Sequence, residues 1–234
     1  MNDSIKSLNA DSSINSKETN ISLSSENQNA LTQDLQNKII QSISSNLHEI
    51  IKENIEKIPN FNNKIKKNKR DIFLNIIPNI TIEQYLNRIY IYTKMEISSL
   101  IISIIYIDRF CKENNYYLSY YSIYRLLLTS CLLSIKFNED IKFDMKNYAE
   151  IAGIPVEIIY NLEEAMFFLI KFNLFVHDED YQNYYNFFSK AAYNTDNKSK
   201  SPKKWQLINY VIKILIKDSL ELKYNKYFFT SKDV

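Results

Sequence analysis

The chain has 234 residues, 45% of them hydrophobic, and a formal net charge of +2, which suits one core-bearing domain with extensions or two small domains and makes no electrostatic demand for nucleic acid. A single glycine rules against phosphate-cradling loops, dinucleotide-binding turns, nucleophile elbows and tight hairpins, and leaves an all-helical protein with polar connections. Two cysteines and two histidines, His48 and His177, are too few and too scattered for a structural zinc site.

Residues 1–30 are rich in Ser and Asn, carry few apolar side chains and show no period, so they are expected to form a disordered tail. From Leu31 onward Leu35, Ile39, Ile43, Leu47, Ile50, Ile51, Ile55 and Ile58 recur at steps of three and four. That spacing predicts one amphipathic helix over residues 31–58, stopped by Pro59. Its stripe must lie on the main domain or on a partner. Residues 59–77 follow as a basic linker containing Lys64, Lys66, Lys67, Lys69 and Arg70. A nuclear-import or phosphate-binding patch is the sharper reading of those charges. The heavy use of Asn, Lys, Ile and Tyr, as from an AT-rich genome, favours a solvated linker instead.

The main domain opens after Pro78. Thr81 and Gln84 have the spacing of a capping box, and Thr93 with Glu96 repeats it. The first helix then carries Ile82, Tyr85, Leu86, Ile89 and Tyr92, and the second Ile97, Leu100, Ile101, Ile104 and Ile105. The second stripe runs on into Asp108, an acid that must be paired or reach water at a helix end. Cys111 and Cys131 lie in apolar helical contexts and are expected as buried, reduced thiols.

The stretch from Ser119 to Phe137 is apolar nearly all round. Ile123, Leu126, Leu127, Ser130, Cys131 and Ser134 share one face, while Leu128, Leu132 and Ile135 cover much of the other. Such a helix belongs at the centre of a bundle, and its small residues let a neighbour come close. Ser119 or Ser122 can cap its start, and Lys136, Asn138, Glu139 and Asp140 form its abrupt polar end. A short helix from Asp144 to Ala152 follows. Gly153 stands where a helix end needs a left-handed residue, and Pro155 suits the first turn of the next helix. That helix, ending at Phe172, buries Ile158, Ile159, Leu162, Ala165, Met166, Leu169 and Ile170. Further helices are predicted at Asp178–Ala192 and Lys203–Leu222, the latter with Trp205, Ile208, Ile212, Leu215 and Ile216 at helical steps.

Three motifs in register carry a family resemblance. These are YIDRF at Tyr106 to Phe110, RLLLTSCLLSIKFNED at Arg125 to Asp140, and YAEIAGI at Tyr148 to Ile154. From about Pro78 to Phe188 the chain resembles the cyclin box of the P/U-type, phosphate-pathway cyclins, with Ala152 where that family usually has a glycine. The resemblance implies an all-α fold. It would hold a single five-helix cyclin box at residues 78–175, an N-terminal helix, and additional C-terminal packing helices in residues 176–234. The chain after Phe172 is short for a second repeat.

The resemblance further implies a regulatory subunit that forms a heterodimer with a cyclin-dependent Ser/Thr kinase and activates it, with no catalysis, cofactor or metal of its own. Lys136 and Glu163 match the positions that hydrogen-bond kinase backbone. Phe137 and Phe167 would form the dry part of that interface, with Phe172 and Leu174 as further apolar contacts. Where cyclins with a substrate-docking patch carry an M-R-A-I-L-like first helix, this chain has Thr81 to Leu86, TIEQYL, which argues against docking there. It also removes the usual Arg partner of Asp108, leaving Arg88 or Arg125 to complete a structural ion pair.

A cyclin-fold adaptor of the transcription-factor kind is the alternative, but net charge +2 and one repeat disfavour it. No serine, histidine or carboxylate grouping has the spacing or glycine support of an enzyme site. No nucleic-acid or membrane partner is expected. Without a secretory leader or an apolar run of spanning length, the sequence is read as soluble, in cytoplasm and/or nucleus.

Overall fold

Helix α4 (Ile123–Asn138) is the axis of the molecule, with every residue from Leu126 to Ile135 buried. The computed structural model describes residues 8–61, 71–140 and 144–193, and among them there are seven helices and no strand. The others are α1 (Leu8–Lys57), α2 (Ile82–Thr93), α3 (Ile97–Asn114), α5 (Met145–Ala152), α6 (Val156–Leu169) and α7 (Asp178–Tyr193). Helices α2 to α6 are the five expected of the box. The predicted helix at Lys203–Leu222 and the basic residues Lys64 to Arg70 lie outside the described residues.

Around α4 stand α2, α3 and α6. The closest partner is α3, for a reason visible in the side chains. Ser99 and Ser103 on α3 face Ser130, Cys131 and Ser134 on α4, all fully buried. Small side chains let two helix backbones approach. The hydroxyls of Ser103, Ser130 and Ser134 are met locally, whereas the buried Ser99 Oγ has no hydrogen-bond partner among the described residues. Ser134 Oγ donates to the Ser99 carbonyl at 2.7 Å, and the Cys131 thiol donates to Ser103 Oγ at 3.5 Å. Cys111 and Cys131 are buried and free, and burial pushes the Cys131 thiol up to about 12. Such thiols are packing groups rather than nucleophiles.

Helix ends follow local chemistry where that chemistry is self-contained. The Thr81–Gln84 box is present in both directions, each hydrogen bond 3.1 Å long. Gly153 takes φ +67° at the end of α5, with its N–H donating to the Ala149 carbonyl. Pro155 is the residue before α6 rather than part of its first turn. Thr93 does not cap α3, however. It is the last residue of α2, and its hydroxyl donates back to the Ile89 carbonyl at 2.8 Å. The residue before α3 is Glu96, whose N–H donates to Glu139 Oε1 at 3.0 Å.

Helix α1 begins at Leu8, well before the expected Leu31, and so runs through most of the stretch read as a disordered tail. No proline or glycine occurs before Pro59, so nothing in the sequence interrupts the helix once its apolar half is anchored. That half packs on α2 and α7. Ile39, Ile40, Ile43, Leu47, Ile50 and Ile51 are buried there, which places the stripe on the main domain. Asn54 Nδ2 donates to the Leu118 carbonyl at 3.0 Å, and Tyr120 Oη is hydrogen-bonded to His48 Nδ1 at 2.7 Å.

Candidate functional site

The polar end of α4 and the outer face of α6 come together at one ion pair. Lys136 follows directly on Ile135, the last buried residue of α4, so its side chain emerges where the core stops. Glu163 follows buried Leu162 on α6. Lys136 Nζ and Glu163 Oε1 are 2.6 Å apart, with the side chains 35% and 20% exposed.

The surround is aromatic. Phe137, Tyr160, Phe168 and Phe172 are each about half exposed, and Phe167 and Leu174 are half-buried. On α6, Tyr160, Glu163, Glu164, Phe167 and Phe168 lie at helical steps on the outward side, while Ile159, Leu162, Ala165 and Met166 face the core. A helix apolar on both faces at the edge of a bundle has an unfilled contact on its outer side. All six residues expected at an interface therefore lie around the α4–α6 edge and the turn after α6. The sequence reading did not name Tyr160, Phe168 or Phe175, also exposed; for Tyr160 and Phe168 the signal is this two-sided apolarity, and Phe175, beyond the end of α6, has none.

The turn after α6 is unusual. Lys171 and Phe172 both take left-handed backbone, φ +56° and +59°. The ring of Phe172 meets Phe167 edge-on at 4.7 Å between centroids and Phe168 at 5.0 Å. Side chains of α3 hold this turn. Asn114 Nδ2 donates to the Leu169 carbonyl at 3.1 Å, Arg109 Nη1 to the Asn173 carbonyl at 2.8 Å, and Tyr106 Oη to the Leu174 carbonyl at 2.7 Å. Lys171 pairs with Glu113.

The expected ion pair of Asp108 with Arg88 or Arg125 does not form. Asp108 Oδ2 accepts the hydroxyl of Tyr184 from α7 at 2.7 Å. Burial raises its pKa, opposed by that bond and by Lys112 and Arg109. Arg88 donates instead to the Glu150 carbonyl at 3.3 Å. Arg125 donates to the carbonyls of Ile72 and Leu74, and the carboxylate within its electrostatic reach is Asp71. Buried Asp71 accepts the Phe73 N–H at 2.9 Å and the Tyr116 hydroxyl at 2.7 Å, and burial again raises its pKa. These contacts pin the segment before α2 across the bundle. Asp71 lay in the stretch read as a linker, and nothing local in the sequence marks it.

Among the described residues no group of three or more His, Cys, Asp or Glu side chains could hold a metal ion, and no helix is long and apolar enough to cross a membrane.

A family model described as Cyclin matches residues 2–174. The chain is 36% identical to Cyclin-U2-1 of Arabidopsis thaliana over 109 residues, 46% of this chain and 49% of that protein. It is 30% identical to Cyclin-P3-1 of Oryza sativa over 123 residues, 53% of this chain and 52% of that one. Against the PHO85 cyclin-like protein psl1 of Schizosaccharomyces pombe it is 31% identical over 110 residues, 46% of this chain and 45% of that one. The chain thus spans about half the length of the curated relatives it matches.

Proposed function

The chain belongs to the cyclin family, as a P/U-type cyclin, and from that premise we propose that it is the regulatory subunit of a cyclin-dependent Ser/Thr kinase. In this reading the face around Lys136 and Glu163 grips the kinase, and the chain performs no chemistry itself. It works in cytoplasm and/or nucleus, where such kinases act.

The observation that carries the proposal is the Lys136–Glu163 pair, set at 2.6 Å among aromatic side chains that are about half exposed. An ammonium donates and a carboxylate accepts, so together they can meet one carbonyl and one N–H of a partner's backbone. A partly exposed ion pair is worth about 0–1 kcal/mol, so opening it to admit a partner costs little. Phe137, Phe167, Phe168 and Phe172 supply the apolar surround that excludes water and strengthens those bonds. Activation then needs no group of this chain in the kinase's active site. Binding only one kinase conformation shifts the population toward it, to the extent of the differential affinity.

The test is purification of the tagged full chain from its native cell, with assay of the eluate for Ser/Thr kinase activity. Activity should co-purify with the wild type and be lost from the Lys136→Ala, Glu163→Ala double variant. Equal activity in both eluates would reject this face as the kinase contact.

A further inference from the structure

We propose that Arg109 and Asn114 of α3 are positioning residues for the kinase contact, holding the turn at 169–174 in the geometry that presents Phe172 to the partner. The proposal rests on the function just assigned to this face.

Left-handed backbone is unfavourable for any residue with a Cβ, yet Lys171 and Phe172 adopt it consecutively. Neither is glycine or asparagine. The turn's own hydrogen bonds, Lys171 N–H to the Phe168 carbonyl at 2.9 Å, Phe172 N–H to the Phe167 carbonyl at 3.0 Å, Asn173 N–H to the Ile170 carbonyl at 3.1 Å and Leu174 N–H to the Phe172 carbonyl at 3.0 Å, close it without reaching the carbonyls of Leu169 and Asn173. Those carbonyls are met from outside the turn. Asn114 takes Leu169 O, Arg109 takes Asn173 O, and Arg109 also reaches Asn173 Oδ1 at 3.4 Å.

What this held geometry achieves is outward display. Had the Phe172 ring gone into the core, burial would account for the strained backbone. It stands 55% exposed instead, braced edge-on by Phe167 and Phe168 on the outer stripe of α6. The free protein gains little from a half-exposed ring, whereas a partner that buries it gains a preorganised aromatic anchor. Asp108 and Arg109 are neighbours in the YIDRF motif with separate tasks: the acid fastens α7, and the guanidinium fastens the displayed turn.

The experiment is a double-mutant cycle on the full chain, read as affinity for each cyclin-dependent kinase of the source organism, purified singly. Arg109→Ala and Phe172→Ala should each weaken binding about tenfold. The double variant should bind no worse than Phe172→Ala alone, because Arg109 acts through that ring. Asn114→Ala in place of Arg109→Ala should give the same non-additivity and serves if the first variant folds poorly. Ile43→Val, remote from the turn in α1, is the control for lost stability and should bind as wild type. Fully additive losses, or binding that follows melting temperature wherever the substitution lies, would overturn the positioning role. Lys136→Ala and Glu163→Ala belong in the same assay. If they bind normally, the face itself is wrong and this inference falls with it; if they lose binding while the cycle is additive, only this inference fails.

Discussion

Tyr184 of α7 donates its hydroxyl to Asp108 of α3 across 2.7 Å, so the last described helix is fastened to the box by a phenol and an acid rather than by an ion pair. Tyr184→Phe keeps the ring and removes the donor, leaving a buried carboxylate short of a partner. The expected loss is about 1–3 kcal/mol, several degrees in melting temperature. Asp108→Ala should also destabilise the chain, and Asp108→Asn, which retains an acceptor, should cost less than Asp108→Ala. Thermal unfolding followed by circular dichroism checks all three. An unchanged melting temperature in Tyr184→Phe would remove the bond from the fold's energetics.

A second expectation concerns pH. Burial is the largest influence on both Asp71 and Asp108, and it raises both above the ordinary carboxyl value of 3.8. The folded state therefore holds these protons more tightly than the unfolded chain does. The stability they contribute is full below the ordinary value and is lost as pH rises through the raised values. Asp71→Asn with Asp108→Asn removes that dependence. Relative to the double variant, the wild type should lose stability as pH climbs from about 4 toward neutrality. Melting curves of both proteins across that range measure the difference, and parallel curves would count against it.

What could be read from the residues was what is local or unconditional. The central helix was legible because burial on every side leaves it no polar face, and its small residues announced a close neighbour. The Thr81–Gln84 box was legible because both partners sit within one turn. The same spacing at Thr93 and Glu96 misled, since the atom that meets the Glu96 N–H belongs to Glu139, 43 residues away. Arg125 misled for the same reason: its acid is Asp71, and choosing between Asp71 and Asp108 requires knowing how the segment before α2 crosses the bundle. The site divides likewise. Lys136 and Glu163 were singled out through motif resemblance, and the structure pairs them, but a phenylalanine in the core and one on an exposed face are written with the same letter. Phe168 and Tyr160 became distinguishable only once α6 had an inside and an outside.

Helix α1 should prove integral to the domain. Removing residues 1–60 would uncover the apolar surfaces of α2 and α7 and strand the Leu118 carbonyl that Asn54 meets. Loss of soluble protein is expected. Within the full chain, Ile43→Ala should cost about 2–5 kcal/mol and Asn54→Ala about 1–3 kcal/mol. Equal solubility and melting temperature of the truncated chain would make α1 dispensable.

The α3–α4 contact admits little extra volume. Ser134 is fully buried and bonded to the Ser99 carbonyl. Ser134→Leu should push the helices apart at a cost of about 1–3 kcal/mol, and more where the Lys136–Glu163 edge shifts with α4. Chemical denaturation of wild type and variant measures it, with an unchanged midpoint as the contrary result.

The ion pair itself allows the sharpest separation of folding from function. With the side chains 35% and 20% exposed, the Lys136–Glu163 bridge is worth about 0–1 kcal/mol to the free protein. Lys136→Ala and Glu163→Ala should therefore leave circular dichroism and melting temperature nearly unchanged. If this face is the proposed kinase contact, each truncation leaves a backbone group of the partner unmet, about 1–3 kcal/mol or roughly ten- to a hundredfold in affinity. The charge-swapped double variant, Lys136→Glu with Glu163→Lys, is more telling still. It can rebuild the bridge, so the fold should be indifferent to it. It offers an acceptor where the kinase needs a donor and a donor where it needs an acceptor, so capture and activation should stay lost. Normal activation by the swapped protein would show that the two charges serve each other and not a kinase, and a collapse of the fold would return both to a structural role.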